Sequence, residues 1–114
     1  MKNYNSKIIE LFRHLDHAGV LHGEGVKILA LPDLMIELSV QLQTNKIVMA
    51  RFRCQGSPIL LAACELLCRQ LEGMPLSDLN QITQDKILDA LQLSPLHNHV
   101  ANKLISLISL LVAD

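Results

Sequence analysis

The segment Ile36-Glu37-Leu38-Ser39-Val40-Gln41-Leu42-Gln43 alternates apolar and polar side chains without a break. Successive strand residues point to opposite faces, so this stretch suits a strand with one face buried and one wet. A helix would scatter the same apolar residues around its whole circumference. Thr44-Asn45-Lys46 follows as a turn, after which Val48, Ala50, Phe52 and Cys54 alternate with Met49, Arg51 and Arg53. The two runs predict a hairpin whose outer face, carrying Arg51 and Arg53, meets solvent. Val26 to Leu31, a short apolar run ended by Pro32, predicts a further strand.

At Gly56-Ser57-Pro58 the period changes. Leu60, Leu61, Cys64, Leu67, Cys68 and Leu71 fall on one helical face, with Glu65, Arg69 and Glu72 on the other. Gly73 suits a helix terminator. Leu76 to Ile82 predicts a short helical turn, and Thr83 can cap a helix from Gln84 to about Leu91. Leu93 to Asn98, with Pro95, reads as a connector to a last helix from about His99 to Val112. Residues 4–15 place Ile8, Ile9, Phe12 and Leu15 along one helical stripe, with Asn5 or Ser6 as its cap. His17 to Gly25 reads as a loop. The order is helix, strands, then helices, which predicts an α+β fold: a three-stranded antiparallel sheet with helices packed over one face. Neither a repeat nor a linker interrupts residues 1–114, so one domain is expected over the whole chain.

Half of the 114 residues are apolar, but only one Tyr and two Phe are present, so Leu, Ile, Val and Ala must fill the core. Ten basic residues stand against 11 acidic ones, for a net charge of −1. Arg51, Arg53 and Arg69 form no run, which argues against a broad basic face for nucleic acid and against a polybasic membrane segment. The opening MKNYNSKIIELF lacks a signal-peptide core, and KLISLISLLVAD is far short of the roughly 20 residues that span a bilayer. The three cysteines include no CxxC pair, so a reducing cytoplasm is the expected compartment.

Several residues carry chemistry worth weighing. Ser57 before Pro58 reads as a helix cap followed by the first helical position. A nucleophilic serine would need a base and an oxyanion hole, and neither a GxSxG elbow nor a triad stands in the chain. Cys54 admits two readings: a small buried hydrophobe, or a thiolate favoured by the nearby helix N-terminus. Cys64 and Cys68 share a helical face inside the apolar stripe and read as core. His97 and His99 could share a ligand on an extended segment, with a third donor from Cys54, Asp33 or Ser57. The plainer reading has Asn98 capping the last helix between two half-exposed histidines. His14, His17 and His22 form no recognisable motif. No acid–base pair or nucleophile arrangement points to an enzyme.

Across nearly its whole length the chain resembles the IscU/NifU N-terminal family of iron–sulfur cluster scaffolds. The resemblance rests on Tyr4-Asn5-Ser6-Lys7-Ile8-Ile9-Glu10, on Lys46-Ile47-Val48-Met49-Ala50-Arg51-Phe52, and on Gly56-Ser57. It continues in Gly73-Met74-Pro75-Leu76-Ser77-Asp78 and Leu93-Ser94-Pro95-Leu96-His97-Asn98-His99. The SufE sulfur acceptors, which share the fold, are a more distant match. The resemblance implies a SufE/NifU-like antiparallel three-stranded sheet covered by helices. It also implies a site of three cysteines, an aspartate and often a histidine. Here Asp33, in Pro32-Asp33-Leu34, falls on or near the aspartate and His99 on the histidine. Ser57 and Val100 fall on cysteine positions, and the first loop has no cysteine. Thiolates bind iron and zinc and accept sulfur as persulfide; serine and valine do neither.

Two expectations follow. In the first, the chain is an iron–sulfur assembly scaffold that binds iron, zinc or a labile cluster through Cys54, His99 and Asp33, with His97 as a further donor. In the second, it holds no cofactor and is a non-catalytic module binding a cysteine desulfurase or another assembly component. The apolar stretch from Leu104 to Val112 could also support a homodimer.

Overall fold

The computed structural model describes residues 4–31 and 36–112. Its order is α1 (Ser6–Arg13), β1 (Val26–Ala30), β2 (Ile36–Gln43), β3 (Lys46–Cys54), α2 (Pro58–Leu71), α3 (Gln84–Leu91) and α4 (Asn98–Ser109). Short 3-10 turns at Leu76–Gln81 and Pro95–His97 lead into α3 and α4. The strands form one antiparallel sheet in the order β1-β2-β3. The predicted fold class is the one observed.

Thr44 (φ 53°) and Asn45 (φ 59°) both take left-handed backbone. That two-residue turn has the twist that matches the flanking strands, and asparagine tolerates it well. β2 and β3 pair from Ile36↔Cys54 to Val40↔Ala50, but Gln41 faces Met49 while Leu42 faces Ile47. Val48 is left over as a bulge. This corrects the simple alternation read in β3. The bulge reverses the faces, so Ile47 is buried with Ala50 and Phe52 while Val48 is only half-buried.

The outer edge of β3 is covered. His17 O accepts Phe52 N–H at 2.9 Å, and Gly19 N–H donates to Phe52 O at 2.8 Å. At the other end, Gly73 N–H donates to Ile47 O (2.7 Å) and Met74 O accepts Ile47 N–H (2.9 Å). Between these segments the Glu72 carboxylate accepts Ala50 N–H at 3.0 Å. An exposed strand edge, which would invite pairing with another chain, is thereby avoided. The far sheet face is also less open than expected, because Leu21 N–H donates to the hydroxyl of Ser39, a buried residue. Arg53 on that face is exposed, whereas Arg51 bends to the edge and meets Glu72.

α2 packs against α1 and β3, and α4 packs against α2 and α3. Leu and Ile dominate the core they enclose. Asn5 joins two elements: its Oδ1 accepts Ile8 N–H at the start of α1, and its Nδ2 donates to Leu91 O and Gln92 O at the end of α3. α1 and α4 are shorter than the apolar stripes suggested, with α4 ending at Ser109. Leu104, Leu107, Ile108 and Leu111 are buried within the chain, so the surface expected to support a homodimer is largely used internally.

Candidate functional site

β3 ends at Cys54, the chain turns through Gln55-Gly56-Ser57, and α2 begins at Pro58. Ser57 sits in extended backbone (φ −69°, ψ 162°) and its Oγ accepts Leu60 N–H at 3.3 Å. The hydroxyl thus serves an amide with no partner inside the helix. A Cβ on Gly56 would lie 2.7 Å from Leu60 Cδ2, so a larger residue there would require the Leu60 side chain to shift.

Cys54 lies half-buried beside the turn and lines an open cleft of about 670 Å³ with Leu15, Ala18, Phe52, Arg53 and Leu61. A hydrogen bond from Cys64 pulls the Cys54 thiol below its ordinary range; burial opposes this, and the Lys103 ammonium on α4 adds to it. The same bond, reinforced by burial, holds the Cys64 proton firmly. Cys68 is fully buried, and burial raises its pKa well above the usual thiol range. Cys64 and Cys68 are core residues, as expected. Cys54 is packed against the core and open to a cleft.

At the start of α4 the rings of His97 and His99 stack, with centroids 6.2 Å apart and planes 29° apart. His99 is exposed and His97 half-buried. Asn98 does not cap. It already has helical backbone (φ −53°, ψ −33°), and Ser94 supplies the cap one turn earlier by accepting Leu96 N–H. Among the described residues, His97 Nδ1 and Asn98 Oδ1 are buried without a hydrogen-bond partner. Val100 is buried in the core at 4% exposure. Asp33 lies outside the described residues. Among the described residues, no group of three His, Cys, Asp or Glu side chains could hold a metal ion. Neither histidine is among the described residues lining the Cys54 cleft. The turn therefore offers a capped serine, the α4 start a buried valine, and β3 a single half-buried thiol. These donors do not fit a cluster held on three thiolates.

A polar network behind the cleft was not foreseen. Glu65, read as part of a solvent-facing helix side, is 0% exposed. Its Oε2 accepts from His17 Nδ1 (2.6 Å) and Arg69 Nε (2.9 Å), and its Oε1 accepts His17 N–H (2.9 Å). His17 Nε2 meets Glu72 Oε1 at 2.7 Å, and Arg51 Nη1 meets Glu72 Oε2 at 3.0 Å. Arg69 also reaches Glu10 Oε1 and His14 O. Burial works against charge on His17, but its bonds to Glu72 and Glu65 outweigh that and raise its pKa. For Glu72 burial is likewise outweighed, by Ala50 N–H, His17 and Arg51, and its pKa falls. The sequence signal was the placement of Glu65 and Glu72 two turns apart on one helical face, with Arg69 one turn from Glu65.

The chain matches the model of the family described as NifU-like N terminal domain over residues 3–110. No curated protein matches it. Among solved structures, it is similar to a protein from Fervidobacterium islandicum described as an iron–sulfur cluster assembly scaffold for the SUF system. The two share 12% identity, 94% of each chain is covered, and the TM-score is 0.69. It is also similar to a nitrogen-fixing NifU-like protein (N-terminal) from Brucella abortus, at 13% identity and a TM-score of 0.58. That match covers 71% of this chain and 58% of the other. At such identities the structural likenesses speak to the fold, while the family match spans nearly the whole sequence. The chain belongs to the NifU-like N-terminal domain family.

Proposed function

We propose that this protein works in iron–sulfur cluster assembly as a scaffold-fold protein that docks another assembly component, a cysteine desulfurase foremost, and holds no cluster on three thiolates. The observation that carries this reading is the contrast between the platform and the donors. The family match covers residues 3–110, while the turn at the end of β3 presents Ser57 engaged as a cap and Val100 is buried. A surface can survive the loss of ligands, because docking depends on shape and on a few buried anchors rather than on thiolates. The role is binding rather than catalysis, and its setting is the cytoplasm. Among the described residues, no helix is long and apolar enough to cross a membrane.

Titration calorimetry of the metal-free protein against a cysteine desulfurase from the same cell tests the reading. Saturable binding with a defined stoichiometry is expected, unchanged by added iron and sulfide. No binding to any desulfurase or other assembly component would overturn it.

A further inference from the structure

We propose that the segment from His14 to Gly19 is a strap over the outer edge of β3, and that a proton on His17 sets how often it opens. This goes beyond the docking role and does not depend on it. The His17 ring sits between two carboxylates of α2: Nδ1 is 2.6 Å from Glu65 Oε2, and Nε2 is 2.7 Å from Glu72 Oε1. An ionised carboxylate only accepts hydrogen bonds, and only the imidazolium donates from both nitrogens. A neutral ring keeps one N–H, so its other nitrogen turns a lone pair on a carboxylate at hydrogen-bond distance. The same residue carries the strap. Its N–H donates to Glu65 Oε1 at 2.9 Å, its carbonyl accepts Phe52 N–H, and Gly19 N–H completes the bridge at Phe52 O.

Polar bonds do most of the holding, because no residue from 12 to 28 is buried. A segment with few buried apolar contacts opens locally, at less cost than unfolding the whole chain. The charged groups around His17 come from three elements. On α2, Glu65 is paired with Arg69; from β3, Arg51 pairs with Glu72; from α1, Glu10 meets Arg69 and Lys7. His14 and Asp16, in the strap itself, are exposed. Cys68, between the two glutamates on α2, keeps its proton because burial raises its pKa. Loss of the His17 proton leaves Glu72 with Ala50 N–H and Arg51 alone and sets the ring against it. The His17 pKa lies above 6.5, so this happens on the alkaline side of that value. Opening uncovers Phe52 N–H and O and takes Leu15, Ala18 and Gly19 out of the cleft wall. The freed edge of β3 is a template for an extended segment of another chain.

The experiment is amide hydrogen exchange of the full chain, read residue by residue by NMR from pH 6 to pH 9. Each rate is divided by that of the same amide in an unfolded chain. Protection of the Phe52 and Gly19 amides should fall above pH 6.5, by at most about tenfold per pH unit, and then level off. The Ala50 amide, held by Glu72, and the β2 amides paired with β1 should keep their protection. At pH 6 the His17 ring should show two hydrogen-bonded N–H protons. His17→Gln should leave Phe52 weakly protected at every pH, with no step. The wild-type profile needs no variant, so a poorly folding substitution leaves the test intact. Phe52 protection that does not change with pH would overturn the proposal. So would a single ring N–H proton at pH 6, or loss of protection at Phe52 and in β2 together, which is unfolding of the whole chain.

Discussion

Ser57 illustrates how a single side chain can be spoken for. Its hydroxyl accepts Leu60 N–H and its carbonyl accepts Leu61 N–H at 3.0 Å, the first bond of α2. Ser57→Ala should therefore cost about 1 kcal/mol, and Ser57→Gly only a few tenths, in urea unfolding. Neither change should alter desulfurase binding by more than that stability difference implies. The role of Ser57 was legible because capping is local: a serine, a following proline and an apolar helix suffice. The role of Asn98 was not. Whether an asparagine caps or lies inside a helix depends on where the backbone turns helical, and here the 3-10 turn at Pro95–His97 set that point earlier. Cys54 was legible in its position but not in its surroundings, because the cleft it lines draws on Leu15, Ala18 and Leu61, which are far from it in the sequence or on another element.

At the scale of elements, α2 is held by charge as well as by apolar contact. Glu65 is fully buried between His17 and Arg69. Removing one member of a buried pair strands the others, which costs 3–5 kcal/mol in typical cases. Glu65→Ala should cost about 3 kcal/mol, at the lower end, because His17 keeps Glu72 and Arg69 keeps Glu10. Denaturant midpoints at neutral pH check this.

The network also has a pH signature. The His17 pKa in the folded chain lies above its ordinary 6.5, so its contribution is complete below about 6.5 and fades as pH rises through the folded value. The Glu72 pKa lies below its ordinary 4.5, so its contribution is complete above about 4.5 and fades as pH falls through the folded value. The stability gap between the wild type and His17→Gln should be largest between those two limits and should shrink on the alkaline side. Urea midpoints across the pH range would reveal it, and a gap that grew with rising pH would contradict the assignment. This network was hidden from sequence reasoning because amphipathic patterns assign charged residues to solvent. Only the packing of residues 14–17 against α2 converts that face into an interior. The Val48 bulge was hidden for a related reason: alternation continues through a bulge on paper, while the pairing partner decides which residue is extra.

Across the whole molecule, the order and type of elements were readable from periodicity alone, and the hairpin was the clearest part. Long-range closure was not readable: the segments covering the β3 edge, and Asn5 bridging α1 and α3, join residues far apart in the chain. The central proposal concerns the molecule as a whole: a platform of the NifU-like type that holds no cluster on three thiolates. Anaerobic reconstitution with ferrous iron and sulfide, followed by desalting, iron analysis and visible absorption, tests it most directly. The account predicts substoichiometric iron and no cluster absorption in a folded protein. A stable, stoichiometric cluster retained through desalting would contradict it.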